Sequence, residues 1–425
     1  MTGTRSTEAD HYPGLSRSRV LVVVGSYFAL SGVLQAFIPL RASAMGGDGA
    51  VLGLLLVLAG GGIGLVTDMG FGAYADAHGR DKVVFGGFFC ILIAVSLIVL
   101  DGSRQALLAG CFLAGLGNSA VFDPLLALLT TTPHHQTQAR TQGFNVATQR
   151  CGALLSALMI GVALATRRDE ILALTAVVAC LAALAVMCSR CGRPWRYWMS
   201  PFSGEGPRLG QLLARGYRQG FEMLRRRRIV MAALVSVAVN LIFIETNSFV
   251  PLIDRQHGLK QAVVVTAALC ARDLTAIVVG VWTVTTGRHA SSPLALVGVF
   301  LLAAICAACV GLDAVGSHRT LILWCALQGV AVGVGVAAMN LLTVGASSEG
   351  QRALGMAAAT LINRLGVVVL PLALGLTLQL WGLRAVFFAV GAALTALCLG
   401  YLVVGLGDDA RPTSAGPEGS QSQAL

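Results

Sequence analysis

The chain has 425 residues, 56% hydrophobic and only 12% charged, about half the roughly 25% of a soluble domain. Mean hydropathy is +0.77, and unbroken apolar runs recur from end to end, each of about 18 residues or more and long enough to cross a ~30 Å hydrocarbon core as helix. A soluble enzyme is therefore excluded, and so is a β-barrel, whose ~10-residue strands alternate apolar and polar side chains.

Residues 1–19 are polar, with no short apolar core before a small-residue cleavage site, so no signal peptide is expected and the first span stays uncleaved. Twelve spans come next, at approximately 20–45, 50–73, 83–100, 105–130, 141–166, 170–188, 229–252, 261–286, 292–312, 320–346, 353–379 and 384–405. Between spans six and seven lies a basic link, 189–228, whose ten arginines face only Glu205 and Glu222 and hold most of the net charge of +10. A nucleic-acid reading of such a run is possible, but beside a membrane span it reads as a topology anchor that meets anionic lipid. Within it Leu209, Leu212, Leu213, Gly216, Tyr217, Gly220, Phe221 and Leu224 recur at three and four residues, predicting an interfacial helix with its arginines in water. The tail from 406 is rich in Ser, Gly, Pro and acids and is expected to be disordered. This gives an N-terminal segment 1–19, a six-helix bundle 20–188, the linker 189–228, a second bundle 229–405 and the tail 406–425.

An even number of spans puts both termini on one side, and Lys and Arg say which. Nineteen of the 30 fall in loops on the side of the termini, eight on the other side and three inside spans. Lys and Arg are retained in the cytoplasm, so both termini are expected there. No cysteine lies in an external loop, so no disulfide framework is implied, and Cys188-x-x-Cys191 lacks the second pair that a metal site needs. No metal or cofactor is expected.

The two halves repeat. Phe37-Ile-Pro39-Leu with Gly46 matches Phe249-Val-Pro251-Leu with Gly258, at an offset of 212. Gly72 and Gly79-Arg80 match Gly280 and Gly287-Arg288 at 208, Arg140-x-x-Gly143 matches Arg352-x-x-Gly355 at 212, and Arg150-x-Gly152 matches Arg364-x-Gly366 at 214. Four matches in order predict two six-helix halves in the same orientation, a recurring plan of transporters in which the halves rock about a midplane site.

Gly72-Ala-Tyr-Ala-Asp76-Ala-His-Gly79-Arg80-Asp81-Lys82, between spans two and three, resembles the loop signature of the major facilitator superfamily, and the resemblance extends over the whole chain through the span count, the basic link and the degenerate second copy. It implies an all-α membrane fold of two parallel six-helix repeats. It also implies a cytoplasmic gate in which Gly72 and Gly79 shape the loop, Asp76 caps the start of span eleven, and Arg80 pairs with an acid at the cytoplasmic end of span four, here Asp123. A carboxylate at a helix N-terminus is favoured by unpaired N–H groups. Val284 replaces the aspartate in the second copy, so the latch is one-sided, and Cys111 stands where drug-exporting members often carry an Arg before Gly115-x-Gly117.

Charges inside spans are functional candidates by default: Asp68, Asp123, Arg150, Glu245, Arg272, Asp273 and Arg364. Arg150 and Arg364 occupy matching positions roughly 15 Å into their spans at a rise of ~1.5 Å per residue. Two guanidiniums in one cavity suit a carboxylate or phosphate; alternatively each pairs with an acid across the interface between halves. Arg272 and Asp273 are adjacent, about 100° apart on a helix, so at least one is expected to find its partner elsewhere. Asp68 and Glu245 look unpaired and, with Asp273, are candidates for proton coupling, although Asp68 also reads as a second gate acid. Tyr27, Ser31, Gln35, Asn240 and Asn247 are candidates to line the cavity or to bridge helices.

No nucleophile elbow, HExxH site or Walker A pattern occurs, so neither a membrane enzyme nor an ATP-driven pump is expected. The reading is secondary transport, coupled to protons, between alternating-access states in the plasma membrane, by a monomer with a small-molecule substrate, protons and membrane lipid as partners and no nucleic acid. The resemblance implies export of a drug-like or secondary-metabolite compound by antiport. Uptake or exchange of a small organic anion bound by the arginine pair is the alternative, and a non-transporting receptor or scaffold a second one.

Overall fold

The computed structural model describes residues 17–46, 48–60, 62–101, 103–129, 135–189, 209–254, 259–286, 293–313, 318–346 and 352–406. All regular structure among them is helical. Eleven stretches are long and apolar enough to cross a membrane, and the last, 48 residues long, bends at Gly382 (φ 80°) into two spans, which makes twelve. The positive φ there is one that glycine adopts without a Cβ clash.

Spans one to six are Arg17–Ala44, the pair Gly49–Ala59 and Gly64–His78, Arg80–Asp101, Arg104–Leu129, His135–Thr166 and Glu170–Cys188. Spans seven to ten are Arg227–Ile244 with its continuation to Asp254, Leu259–Thr286, Pro293–Asp313 and His318–Ala346, and Arg352–Leu406 holds eleven and twelve. The N-terminal segment before 17, the linker from 190 to 208 and the tail from 407 lie outside the described residues.

Two spans are not continuous helices, as the apolar runs had implied. Span two starts on Asp48, whose carboxylate accepts from Val51 N–H (2.9 Å), and its first helix ends at Ala59 and its second begins at Gly64. Span seven passes through a π-helical turn, Glu245–Phe249, where Val250 N–H bonds to Glu245 O five residues back. Pro251 explains the irregularity, since it has no N–H to return to the Asn247 carbonyl one turn earlier.

The halves meet along two pairs of spans, five with eight and two with eleven, which the repeat makes equivalent. Small residues permit the approach. A Cβ on Gly53 would lie 2.6 Å from Pro371 O and 3.2 Å from Leu372 Cα of span eleven. Gly53→Leu is therefore expected to destabilise the fold by about 1–3 kcal/mol or more through overpacking, read as a lower melting temperature in detergent; an unchanged melting temperature would show that this contact is loose.

The linker helix Leu209–Leu224 forms as predicted from its periodicity, but it packs against spans two and eleven. Tyr217 donates its hydroxyl to Val66 O (2.6 Å) of span two. Partial burial raises that hydroxyl above its ordinary pKa, so it stays protonated and remains a donor.

Candidate functional site

Between the halves lies a cavity lined by spans one, two, three, four, five, seven, ten and eleven. Its polar wall includes Tyr27, Ser31, Gln35, Asn118, Gln149, Asn240, Asn247 and Asn363, its aromatic wall Phe28, Phe122 and Phe243, and both Arg150 and Arg364 reach it. The matching arginines thus face one space, each set by the repeat on the span that meets the opposite half.

Their surroundings differ. Arg364 of span eleven crosses to span two, where Nε donates to Asp68 Oδ2 (2.7 Å) and Nη1 to Gly60 O (2.9 Å). The glycine break supplies that carbonyl, which also accepts from Asn118 Nδ2 (3.1 Å), while Asn118 Oδ1 accepts the Tyr27 hydroxyl. One turn before Arg364, Thr360 donates to Asp123 Oδ1 (2.9 Å). One face of span eleven therefore meets two buried carboxylates, Asp68 through Arg364 and Asp123 through Thr360 one turn earlier. Asp68 Oδ1, Asp123 Oδ2 and Arg364 Nη2 are buried without a hydrogen-bond partner.

Arg150 of span five, 1% exposed, has one acid in reach among the described residues, Asp273 of span eight, with Nη1 at 4.0 Å from Oδ1. Among the described residues its Nε and Nη1 have no hydrogen-bond partner. Asp273 is held by its neighbour: Arg272 donates Nε to Oδ1 (3.1 Å) and Nη2 to Oδ2 (2.7 Å). Arg272 Nη1 reaches the π turn, at Asn247 Oδ1 (2.9 Å) and Thr246 Oγ1. Both guanidiniums pack on the Phe243 ring, at 4.5 Å for Arg150 and 4.9 Å for Arg272, a cation–π arrangement that a ring face favours within ~6 Å.

Several expected arrangements are corrected. Asp68 is paired, not isolated. Arg272 and Asp273 close on each other as well as finding the partners expected elsewhere, Asp273 at Arg150 and Arg272 at Asn247 and Thr246, because a long arginine stem spans the angle that separates adjacent Cβ atoms. Glu245 is not without a partner either; it is fully buried and its Oε2 accepts from Gln328 Nε2 (2.9 Å) of span ten. Asp123 has no ion pair with Arg80 among the described residues, since its carboxylate turns to span eleven. Arg80 Nη1 instead donates to Ala127 O (3.1 Å), in the last turn of span four, where carbonyls lack helical partners and favour a cation. Gly72 and Gly79 bracket the end of the second piece of span two, with Gly79 at φ 108°; the Asp76 side chain lies outside the described residues. Asn247 Nδ2 donates to Gln35 Oε1 (3.1 Å) and Ser248 Oγ to Gln35 O (3.0 Å), joining spans one and seven on the side away from the linker. Asn240 Nδ2 donates to Asn363 Oδ1 (2.6 Å).

Sequence reading passed over the break at Gly60, Thr360, Asn118 and the ring of Phe243. The run Gly60-Gly-Gly62-x-Gly64 was the one signal for the first.

The sequence profile of the Major Facilitator Superfamily matches residues 20–308. No curated protein matches significantly. Among solved structures, the human organic anion transporter MFSD10 (TETRAN) superposes with a TM-score of 0.60 at 15% identity, over 91% of this chain and 99% of its own. A point mutant of the nucleoside transporter NupG does so with 0.62 at 12% identity, over the same shares of each chain.

Proposed function

Since the chain belongs to the major facilitator superfamily, we propose that its cavity carries a small organic anion through the membrane by alternating access, coupled to protons. Membership makes it a secondary transporter in a multi-pass membrane fold and not an enzyme; substrate, coupling and direction belong to the proposal. The carrying observation is Arg150, a buried guanidinium on the cavity wall with Nε and Nη1 unpartnered. Burying a guanidinium whose N–H groups lack acceptors, with its nearest carboxylate as far off as 4.0 Å, is unfavourable, and a carboxylate or phosphate that enters the cavity supplies acceptors in fork geometry. One structural neighbour is an organic anion transporter and the other a nucleoside transporter, but likeness at this identity speaks to the fold.

The proton site we assign to Asp68 and Asp123. Two buried carboxylates, one on the Arg364 guanidinium and one on Thr360 a turn away, leave one negative charge over, and a proton removes it. Protonation would also loosen Arg364, the bond between spans two and eleven. The excess of Lys and Arg on the linker side makes that side cytoplasmic, with both termini inside and the plasma membrane as the site of action of a monomer whose basic linker meets anionic lipid.

Export of a drug-like or secondary-metabolite compound by proton antiport is the second reading, favoured by the cavity's Phe28, Phe122 and Phe243 wall. Proteoliposomes with an imposed pH gradient separate the two. Accumulation of benzoate, lost in Arg150→Gln and weakened by about tenfold, or 1.4 kcal/mol, in Arg150→Lys, is the expected result. Transport of tetraphenylphosphonium alone, unaffected by either change, would give the cavity to the second reading, and binding without transport would make the chain a receptor.

A further inference from the structure

We infer that Arg272 sets the cavity's preference for anions without touching them, by holding Asp273 so that it cannot neutralise Arg150. The inference rests on the organic-anion reading above. Arg272 is fully buried and is not on the cavity wall, yet it takes both oxygens of Asp273, at 3.1 and 2.7 Å. Arg150 is left with the same carboxylate at 4.0 Å. Charge-assisted pairs are made at about 2.7–2.9 Å, so the contest for Asp273 is already decided. Two guanidiniums and one carboxylate leave a positive charge, and it is exposed to the cavity through Arg150. Glu245, the acid of the π turn that Arg272 also reaches, turns to Gln328 instead.

The first half shows what happens without such a residue. At the offset of 208 that relates spans two and eight, Gly64 and Leu65 stand where the second half has Arg272 and Asp273. A Cβ on Gly64 would lie 2.6 Å from both Arg364 Nε and Asp68 Oδ1, so a side chain there would have to push the two apart, and in its absence Arg364 and Asp68 bond directly. The repeat placed an arginine in each half; the intervening guanidinium in one half separates the bound arginine from the available one. Asn247, Thr246 and the Phe243 ring fix Arg272 in place, so the π turn of span seven is what positions it.

The test is equilibrium binding of radiolabelled benzoate to the purified full-length protein in detergent. Arg272→Gln frees Asp273 to pair with Arg150, and affinity should fall by about tenfold or more, the scale of one strengthened charge pair. Asp273→Asn should bind more tightly than wild type. The double variant Arg272→Gln/Asp273→Asn restores the net charge and should return to within about threefold of wild type. An arginine with a merely structural role predicts the opposite, a double variant weaker than either single one. Wild-type binding in Arg272→Gln, or no recovery in the double variant, would overturn the inference; if Arg272→Gln fails to fold, unchanged or weaker binding by Asp273→Asn does so. Benzoate bound equally by wild type and Arg150→Gln would sink the substrate reading beneath it, and loss in Arg150→Gln with no change in Arg272→Gln would sink this inference alone.

Discussion

Arg364→Gln is expected to lower the stability of the folded protein by about 3–5 kcal/mol, the usual loss when one partner of a buried ion pair is removed, whereas Arg150→Gln should lose much less. The difference comes from which carboxylates each leaves behind. Without Arg364, Asp68 and Asp123 remain buried with no cation, and Gly60 O loses a donor. Without Arg150, Asp273 is still held at both oxygens by Arg272. Melting of the two variants in detergent is the measurement, and Arg364→Gln/Asp68→Asn should recover part of the loss. Equal destabilisation by the two glutamines would mean that Arg150 carries a structural pair after all, and would remove the ground for placing the substrate's anion there.

The repeat itself was legible because it is written in types that membrane helices rarely contain. Arginine inside a span, Pro after Phe-x, and Gly-Arg in a loop recur at offsets of 208 to 214, and no lipid-facing requirement explains them. Two parallel halves and two arginines at equal depth are direct consequences of that recurrence. How each arginine is neutralised is not written in the same way, because it depends on register and on the reach of long side chains. The π turn adds a residue to span seven and rotates the helix beyond it, so Asn247 faces the cavity while Glu245 faces span ten. A run of glycines in a membrane helix ordinarily marks close packing, and the same letters describe a break whose freed carbonyl binds Arg364. Helix geometry points Arg272 and Asp273 toward different faces; the flexible arginine stem brings their charged ends together.

The gate separates the two acids that the loop resemblance linked. Arg80 meets the end of span four through a backbone carbonyl, Ala127 O, so the contact draws on the helix dipole and on an acceptor that no substitution of a side chain removes. Asp123 lies one turn deeper, about 6 Å along the axis, and answers to Thr360. If Asp76 caps the start of span eleven, as its place in the loop implies, Asp76→Asn should abolish most transport while leaving benzoate binding intact, because alternating access fails and the cavity does not. Asp123→Asn should do something different. The latch should survive, seen as undiminished cross-linking between single cysteines placed at the linker-side ends of spans two and eleven in a cysteine-free background, while accumulation driven by a pH gradient is lost and exchange at equal pH persists. In Asp76→Asn that cross-link should weaken. Full transport by Asp76→Asn would refute the cap, and loss of the cross-link in Asp123→Asn would return that acid to the gate and take it out of the proton site.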